Sequence, residues 1–299
     1  LDSGEKPAVI SAIMKEQTTE RARTVLNDAM DIHAGSSICL GENNFLEKFY
    51  RSAPIGITVE GSNTLTKNLI IFGQGLNKSH PYIFPLFESL LNDNLRDFRK
   101  NFNAIIGHSL RCYTNCFDFT INEQIKYTLF HQTRAFACLA NFVALKGGEI
   151  KRNQYISGSM AQLMSNLYLG HSVIYKHDNA NISQYLTDYC LKRLVNENNL
   201  LINEIIDNYG SSFISKILYP LRRKINVSNY DDDRKLMDEL YNNPKIIEEI
   251  SKDCYIDESL NRLLSMDKLL EDGNIEEYNK IYNNIIQVGE FEINDGKEN

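Results

Sequence analysis

"NEQIKYTLFHQTRAFACLANFVALKGG", residues 122–148, is a long amphipathic stretch that stops at Gly147-Gly148. "NQYISGSMAQLMSNLYLGHSVIYKHD", residues 153–178, follows at once. A short glycine-containing turn between two such stretches makes an antiparallel helical hairpin, and a third helix is expected over about residues 183–208. Along the chain apolar residues recur at three and four, whereas alternation over more than five residues is rare. The fold class read from this is all-α. Toward the C-terminus "YPLRRKINVSNYDDD", residues 219–233, breaks the regularity at Pro220. The last ~70 residues read as acidic, Asn-rich helices whose final ten or so fray.

Toward the N-terminus, Pro7 suits the start of a helix over about residues 5–33, with apolar stripes at Val9, Ile10, Ile13, Met14 and at Val25, Ala29, Ile32. "AGSS", residues 34–37, ends it, with Gly35 as the expected C-terminal cap. A short amphipathic helix is expected over 42–52, stopped by Pro54. Ser62, Asn63 and Thr64 are all capping residues for a helix over about 64–76. The single carboxylate of "GITVEGSNTLTKNLIIFGQG", residues 56–75, is Glu60. It precedes that helix start, where free N–H groups and the dipole favour negative charge. An ordinary loop acid and a catalytic base are both consistent with such a position.

Bulk properties narrow the function classes. No run of about 18 apolar residues suggests a membrane span. Six scattered cysteines, with only Cys112 and Cys116 close together, and six histidines without metal spacing argue for free thiols in a reducing cytoplasm and against a metal site. Residues 225–299 hold 8 Lys+Arg against 19 Asp+Glu, a net of −11, so the first 224 residues carry +4 of the overall −7. The acidic tail argues against a nucleic-acid partner. Lys151, Arg152 and Arg222 to Lys224 are the cationic set that a peripheral membrane role would use, and salt-dependent liposome binding tests it. Richness in Asn, Lys and Ile, with no Trp, is given no functional weight.

The first 75 residues resemble the C-terminal helical domain of the acyl-CoA dehydrogenases. "GEKPAVISAIMKEQTTERAR" looks like a core helix of that domain. "NDAMDIHAGSSICLG" is similar to the Q-I-x-G-G-x-G loop after it, and "FYRSAPIGITVEGSNTLTKNLIIFGQG" resembles the R-D-A…I-Y-E-G-T segment. The further blocks "LKGGEIKR" and "LYLGHSVIYK" look like the large bacterial long-chain branch, which carries an extra helical region. The resemblance implies that residues 1–86 belong to the dehydrogenase helical domain and residues 87–299 form the C-terminal extension. The bundle would then be incomplete without an N-terminal helical and a middle β-domain. The opening Leu-Asp-Ser-Gly in place of Met likewise hints at a piece of a longer polypeptide.

The resemblance implies a reaction: FAD-dependent α,β-dehydrogenation of a medium- or long-chain acyl-CoA to the trans-2-enoyl-CoA. Glu60 would be the catalytic base, its own N–H a donor to the thioester oxygen, and Gly61 the residue that lets the backbone turn beside the substrate. Such a base must be close, aligned and partly desolvated, and Ile57, Val59 and Leu65 are the expected apolar walls, raising the carboxyl pKa. Ser62 and Thr64 stand where the family's E-G-T-x-Q has flavin-contacting Thr and Gln. Asp31, Ala34 and Gly35 stand in the loop that faces the adenosine pyrophosphate of a neighbouring subunit's FAD. Here Ala34-Gly35-Ser36-Ser37 replaces Gly-Gly-x-Gly and Asp31 replaces Gln. Added Cβ atoms cost backbone approach and an acid repels a phosphate. Arg51 fits the R-D-A position, with an ordinary ion pair as the equal alternative, and His33 reads as a helix-end dipole partner. The implied partners are an electron-transfer flavoprotein and further copies of the complete enzyme, with a cytoplasmic location that extends to the inner-membrane periphery. The competing reading is a catalytically inactive helical module that keeps the fold.

Overall fold

The structure is a computed structural model of the 299-residue chain and describes residues 4, 6–39, 44–117, 124–180, 182–226, 229–252, 254–255 and 258–288. The final ten residues, expected to fray, lie outside the described ones. Among the described residues every regular element is helical. The described residues are all-α, as expected. It divides into two compact units, one of Leu1–Glu16 with Gly61–Ser251, the other of Gln17–Glu60 with Lys252–Asn299.

The larger unit is organised by three long helices, α7 (Ile125–Ala144), α8 (Gln154–Asn179) and α9 (Gln184–Asp207). α8 buries Ile156, Met160, Leu163, Leu167 and Gly170, and α9 buries Leu191, Val195, Asn198, Ile202 and Ile205. Both sets run at intervals of four, three, four and three, the repeat that keeps one stripe of a helix facing its neighbour. All three helices pack on one another. Asn153 caps α8 and Ser183 caps α9 through their side-chain oxygens, so the starts are chemically marked. Gly170 lets α7 and α8 approach closely: a Cβ there would lie 2.8 and 2.9 Å from the two δ-carbons of Leu129.

The sequence 63–79 is helical throughout but not α-helical throughout. α3 (Asn63–Leu65) passes into a π-helix at Thr66–Gln74, then into α4 (Gly75–Ser79). The Gly75 N–H donates to the Ile70 carbonyl, five residues back. The expected α-helix over 64–76 is thus widened. The i→i+5 register sets Thr66 above Ile71 on one face, and both are buried, with Asn68 and Phe72 buried beside them. This face packs on α8. Gly158 of α8 admits the contact, because its ideal Cβ would lie 2.8 Å from Asn68 Oδ1.

α5 (Ile83–Leu91) and α6 (Leu95–Asn115) form a hairpin, and α6 leans on α7. α10 (Ser212–Leu218), a 3-10 turn at Tyr219–Leu221, α11 (Tyr230–Asn242) and α12 (Pro244–Ser251) complete the unit. Between the 3-10 turn and α11 the chain is bound to α9 by asparagines. Asn203 Nδ2 donates to the Arg223 carbonyl at 2.9 Å and its Oδ1 accepts from the Arg223 N–H at 3.0 Å. Asn199 donates to the Lys224 carbonyl and Asn196 accepts from the Asn226 N–H. Buried Gln132 of α7 joins this row through Asn198 and Asn199. The asparagine content set aside as compositional is therefore, at these positions, what satisfies a strap of backbone lacking helical bonds of its own.

In the smaller unit, α1 (Ala8–His33), which starts in the larger unit, runs into a 3-10 turn, Ala34–Ser37. Pro7 stands just before its first turn and accepts from the Ser11 N–H. The left-handed residue at the helix end is Ala34, with φ 49°, rather than Gly35. The serines account for this: Ser36 Oγ donates to the His33 carbonyl, and buried Ser37 donates to the Met30 and Ala34 carbonyls. Two hydroxyls thus serve three carbonyls at the helix end, Ser37 sharing its one proton between two, which offsets the roughly 1–2 kcal/mol a left-handed alanine costs.

The expected helix over 42–52 begins later and ends later, as α2 (Glu47–Thr58). Asn44 Oδ1 accepts from the Leu46 and Glu47 N–H groups and so marks its start. Pro54 lies inside α2 and does not stop it. The proline withholds one N–H, while the turn beyond it is closed by the Val59 N–H to Ile55 and the Thr58 hydroxyl to Pro54. Gly56 makes room for α1, with an ideal Cβ 3.2 Å from Thr19 Cγ2. The expected apolar stripe at Val25 and Ile32 is not buried: they are 63 % and 82 % exposed. α13 (Glu258–Glu271) and α14 (Ile275–Val288) pair as a hairpin around Gly273 at φ 71°.

Candidate functional site

The backbone changes hand at Glu60. Val59 closes α2 in an extended conformation. Glu60 then has φ 56° and Gly61 φ 88°, and Ser62 returns to negative φ as the N-cap of α3. A left-handed glycine is unstrained, but the same conformation costs a non-glycine residue about 1–2 kcal/mol. Such strain persists where the surroundings over-determine it, and it concentrates at functional positions. Glu60 is exposed. Of its expected apolar walls, Val59 and Leu65 are 48 % and 46 % exposed and Ile57 is half-buried, so neither Val59 nor Leu65 is sheltered within this chain.

On the far side of Gly61 the chain is held firmly. The Ser62 hydroxyl accepts from the Leu65 N–H at 3.3 Å, and the Thr66 N–H donates to the Ser62 carbonyl. Asn63 is 4 % exposed. Lys15, from the first half of α1, donates to the Gly61 carbonyl at 2.9 Å and to Asn63 Oδ1 at 2.6 Å. Nothing in the sequence announces Lys15, because its partners lie 46 and 48 residues away. Ser62 and Thr64, the expected flavin contacts, are both exposed at this helix start.

Asp31, Ala34, Gly35 and Ser36 are also exposed, and a Cβ on Gly35 would meet nothing within 4 Å. The outer edge of this turn is thus open to a large anionic group through its backbone. The α1 carboxyl-terminal dipole and Asp31 oppose such a group, and the Ser36 and Ser37 hydroxyls are engaged with helix carbonyls. Arg51 is ion-paired with Glu47 one turn earlier at 3.2 Å, and His33 stands edge-on to Phe45 at 5.3 Å.

Two further side-chain clusters lie in the larger unit. His80 Nδ1 accepts from the Tyr82 N–H and its Nε2 faces Asn141 Oδ1 at 3.1 Å, which assigns the proton to Nε2. Burial pushes its pKa below the usual range and the His108 ring 5.0 Å away adds to this, against the opposing Asn141 bond. The Cys116 thiol is the donor to the Cys112 carbonyl at 3.1 Å and the Arg134 carbonyl at 3.4 Å. Its interaction with Cys138 draws the Cys116 thiol down, with Arg223 and Arg134 assisting against burial, and together with burial drives Cys138 strongly up. Among the described residues no group of three or more His, Cys, Asp or Glu is placed to hold a metal. Cavities of about 540, 580 and 510 Å³ lie along α9, beside α7–α9 and beside the π-helix, and none of these three is lined by Glu60.

Two sequence families match. One, described as the C-terminal domain of acyl-CoA dehydrogenase, covers residues 1–73. The other, described as the C-terminal, bacterial-type acyl-CoA dehydrogenase region, covers residues 77–288. Among solved structures, an acyl-CoA dehydrogenase complexed with FAD from Bacillus anthracis superposes with a TM-score of 0.58 at 16 % identity, over 79 % of this chain and 39 % of that one. At that identity the likeness speaks for the fold, and the chain spans about two fifths of that relative's length. With most of its residues inside one family description, the chain belongs to the acyl-CoA dehydrogenase family, in its bacterial-type branch.

Proposed function

We propose that this chain supplies the catalytic-base segment and the C-terminal helical extension of an FAD-dependent acyl-CoA dehydrogenase acting on medium- or long-chain acyl-CoA. The observation that carries the reading is the left-handed Glu60–Gly61 turn at a capped helix start, in a chain of this family. The Glu60 carboxylate takes the α-proton of the thioester. The Glu60 N–H, which the extended Val59 carries past the end of α2, donates to the thioester oxygen as charge develops there. FAD, when bound, would supply the hydride acceptor for the β-carbon. Ser62 and Thr64 would meet the flavin through their hydroxyls. The backbone of Ala34 and Gly35 would meet a pyrophosphate, with Asp31 beside it. Since a carboxylate works as this base only when desolvated, the walls that Val59 and Leu65 leave open are closed by further domains of the enzyme. The domain division near residue 86, self-association of the complete enzyme and reoxidation by an electron-transfer flavoprotein belong to the same reading. No helix among the described residues is long and apolar enough to cross a membrane.

One observation favours a second reading. The loop at 34–37 spends its serine hydroxyls on its own helix, as expected of a helical module that keeps the fold without the flavin. Visible spectroscopy separates the two. The chain is mixed with FAD, alone and together with N-terminal and middle domains of the family, then titrated anaerobically with a long-chain acyl-CoA. The enzyme reading expects a bound flavin band that bleaches with substrate and does not bleach in Glu60→Gln. Bleaching in Glu60→Gln would remove Glu60 as the base, and no flavin retention in either mixture would favour the inactive module.

A further inference from the structure

We propose that Lys15 is a positioning residue for Glu60, an inference that rests on the reading of Glu60 as the base. The turn at Glu60 and Gly61 has two ends. One is the C-terminus of α2, and the other is the Gly61 peptide group. Lys15 governs the second, with its ammonium 2.9 Å from the Gly61 carbonyl and 2.6 Å from Asn63 Oδ1. The Thr66 hydroxyl, at 3.4 Å, is the further donor to the same carbonyl and is the longer bond. Asn63 is itself buried and lies on the helix that Ser62 caps, so Lys15 ties the carbonyl to a fixed point.

Lys15 is in turn well placed to act as an anchor. It is half-buried and is flanked on α1 by buried Ala12, Ile13 and Glu16. Its ammonium sits where a hydrogen-bonded charge orients a peptide group more strongly than a neutral donor does. Gly61, with no Cβ and φ 88°, is the most rotatable residue of the turn. Releasing its carbonyl frees the Gly61–Ser62 peptide, one residue beyond Glu60, and a strained residue whose neighbour is no longer held relaxes. A base that must meet a carbon-bound proton is sensitive to displacements of about 1 Å, which cost roughly a hundredfold in rate. Lys15 touches neither substrate nor flavin in this account. It acts through the backbone.

Two readouts test this. A glutamate-specific endoprotease reports the turn directly, as the rate of cutting at Glu60–Gly61 relative to Glu47–Lys48 in the same 299-residue chain. Turnover of the chain assembled with N-terminal and middle domains reports the chemistry. Lys15→Met is expected to raise the relative cutting rate at least tenfold with helical content unchanged. It should lower kcat about ten- to a hundredfold with KM within threefold, and Lys15→Arg should restore both. Should Lys15→Met not fold, Lys15→Gln replaces it: shorter and neutral, it cannot span both acceptors, and a three- to tenfold effect on each readout is expected. Wild-type cutting and kcat in whichever variant folds would overturn the proposal, as would a uniform rise in cutting at both bonds. If Glu60→Gln is inactive while Lys15→Met turns over normally, only the role of Lys15 fails. If Glu60→Gln turns over, the reading of Glu60 fails and the role of Lys15 fails with it.

Discussion

Gly170→Ala gives a direct test of the α7–α8 packing. The added Cβ would lie 2.8 and 2.9 Å from the Leu129 δ-carbons and 3.4 Å from its γ-carbon. Carbon atoms sit at best about 3.5–4.0 Å apart, so Leu129 must withdraw by nearly 1 Å. It has nowhere to go, being fully buried among α7, α8 and the core, and overpacking of this kind costs about 1–3 kcal/mol. Alanine also returns about 1 kcal/mol of helix propensity relative to glycine, so Gly170→Ala alone is expected to range from neutral to about 2 kcal/mol destabilising. The propensity term is removed by comparison with Gly107→Ala in α6, where an added Cβ meets nothing within 4 Å. That variant is expected to be about 0.5–1 kcal/mol more stable than the parent. The gap between the two isolates the overpacking. In urea unfolding, with a slope near 3 kcal/mol/M for a chain of this size, it appears as a midpoint difference of roughly 0.3–1 M. Leu129→Ala closes the cycle. It costs about 2–5 kcal/mol by itself, but in its presence the Gly170→Ala methyl finds space and becomes stabilising, a coupling of at least 1 kcal/mol. Equal shifts for Gly170→Ala and Gly107→Ala, or an effect of Gly170→Ala that is the same with and without Leu129, would refute the packing as described.

Asn203→Ala strips both backbone partners from Arg223 and is expected to cost about 2–3 kcal/mol in urea unfolding, with faster amide exchange confined to residues 222–226; no change in exchange there would count against the strap. His80 is held neutral, with its pKa below the ordinary value of about 6.5, so the unfolded chain binds a proton before the folded one does. Its contribution is therefore complete above about pH 6.5 and is lost as pH falls through the folded pKa. The urea midpoint should drop in that window less steeply in His80→Gln than in the parent, with His171, shifted in the same direction by burial, contributing in the same sense. Asp31→Gln removes the exposed acid at the end of α1 and is expected to tighten FAD binding severalfold in the assembled enzyme, measured by equilibrium dialysis; unchanged affinity would place the flavin pyrophosphate elsewhere.

The helices that build the larger unit were legible because their signals are local and mutually consistent. In α8 and α9 the four-three repeat, the capping asparagine or serine and the length agree, and the structure follows them nearly residue for residue. Where one local rule was read alone, it misled. Pro54 signals a helix stop, yet it withholds one N–H, and the next turn closes without it through Thr58 and Val59. Gly35 signals a left-handed cap, yet the serines after it shift that conformation onto Ala34. The π-helix at Thr66–Gln74 leaves no mark that distinguishes it from an α-helix, since the choice is made by contact with α8 through Asn68 and Gly158.

The candidate site divides the same way. Glu60 and Gly61 stand next to each other in sequence and could be singled out from the order of blocks around them. What holds them could not. Lys15 is one charged residue among many on α1, and its significance exists only once Gly61 and Asn63 have been brought to it across 46 residues. The strap at 222–226 shows the same limit, with Asn203 matched to Arg223 rather than to any neighbour. Both cases share a physical form: a side chain satisfying backbone that has left regular structure. Such backbone must find partners wherever it is not in water. The segments most in need of distant partners are therefore the irregular ones, and in this chain the candidate catalytic residue sits in one of them. That ordering has a consequence for how the site fails. Substitutions in the helices around it should lower stability first and activity with it, whereas substitutions at Lys15 should lower activity with stability largely kept. The separation of those two losses is what marks a residue that positions chemistry from one that merely packs.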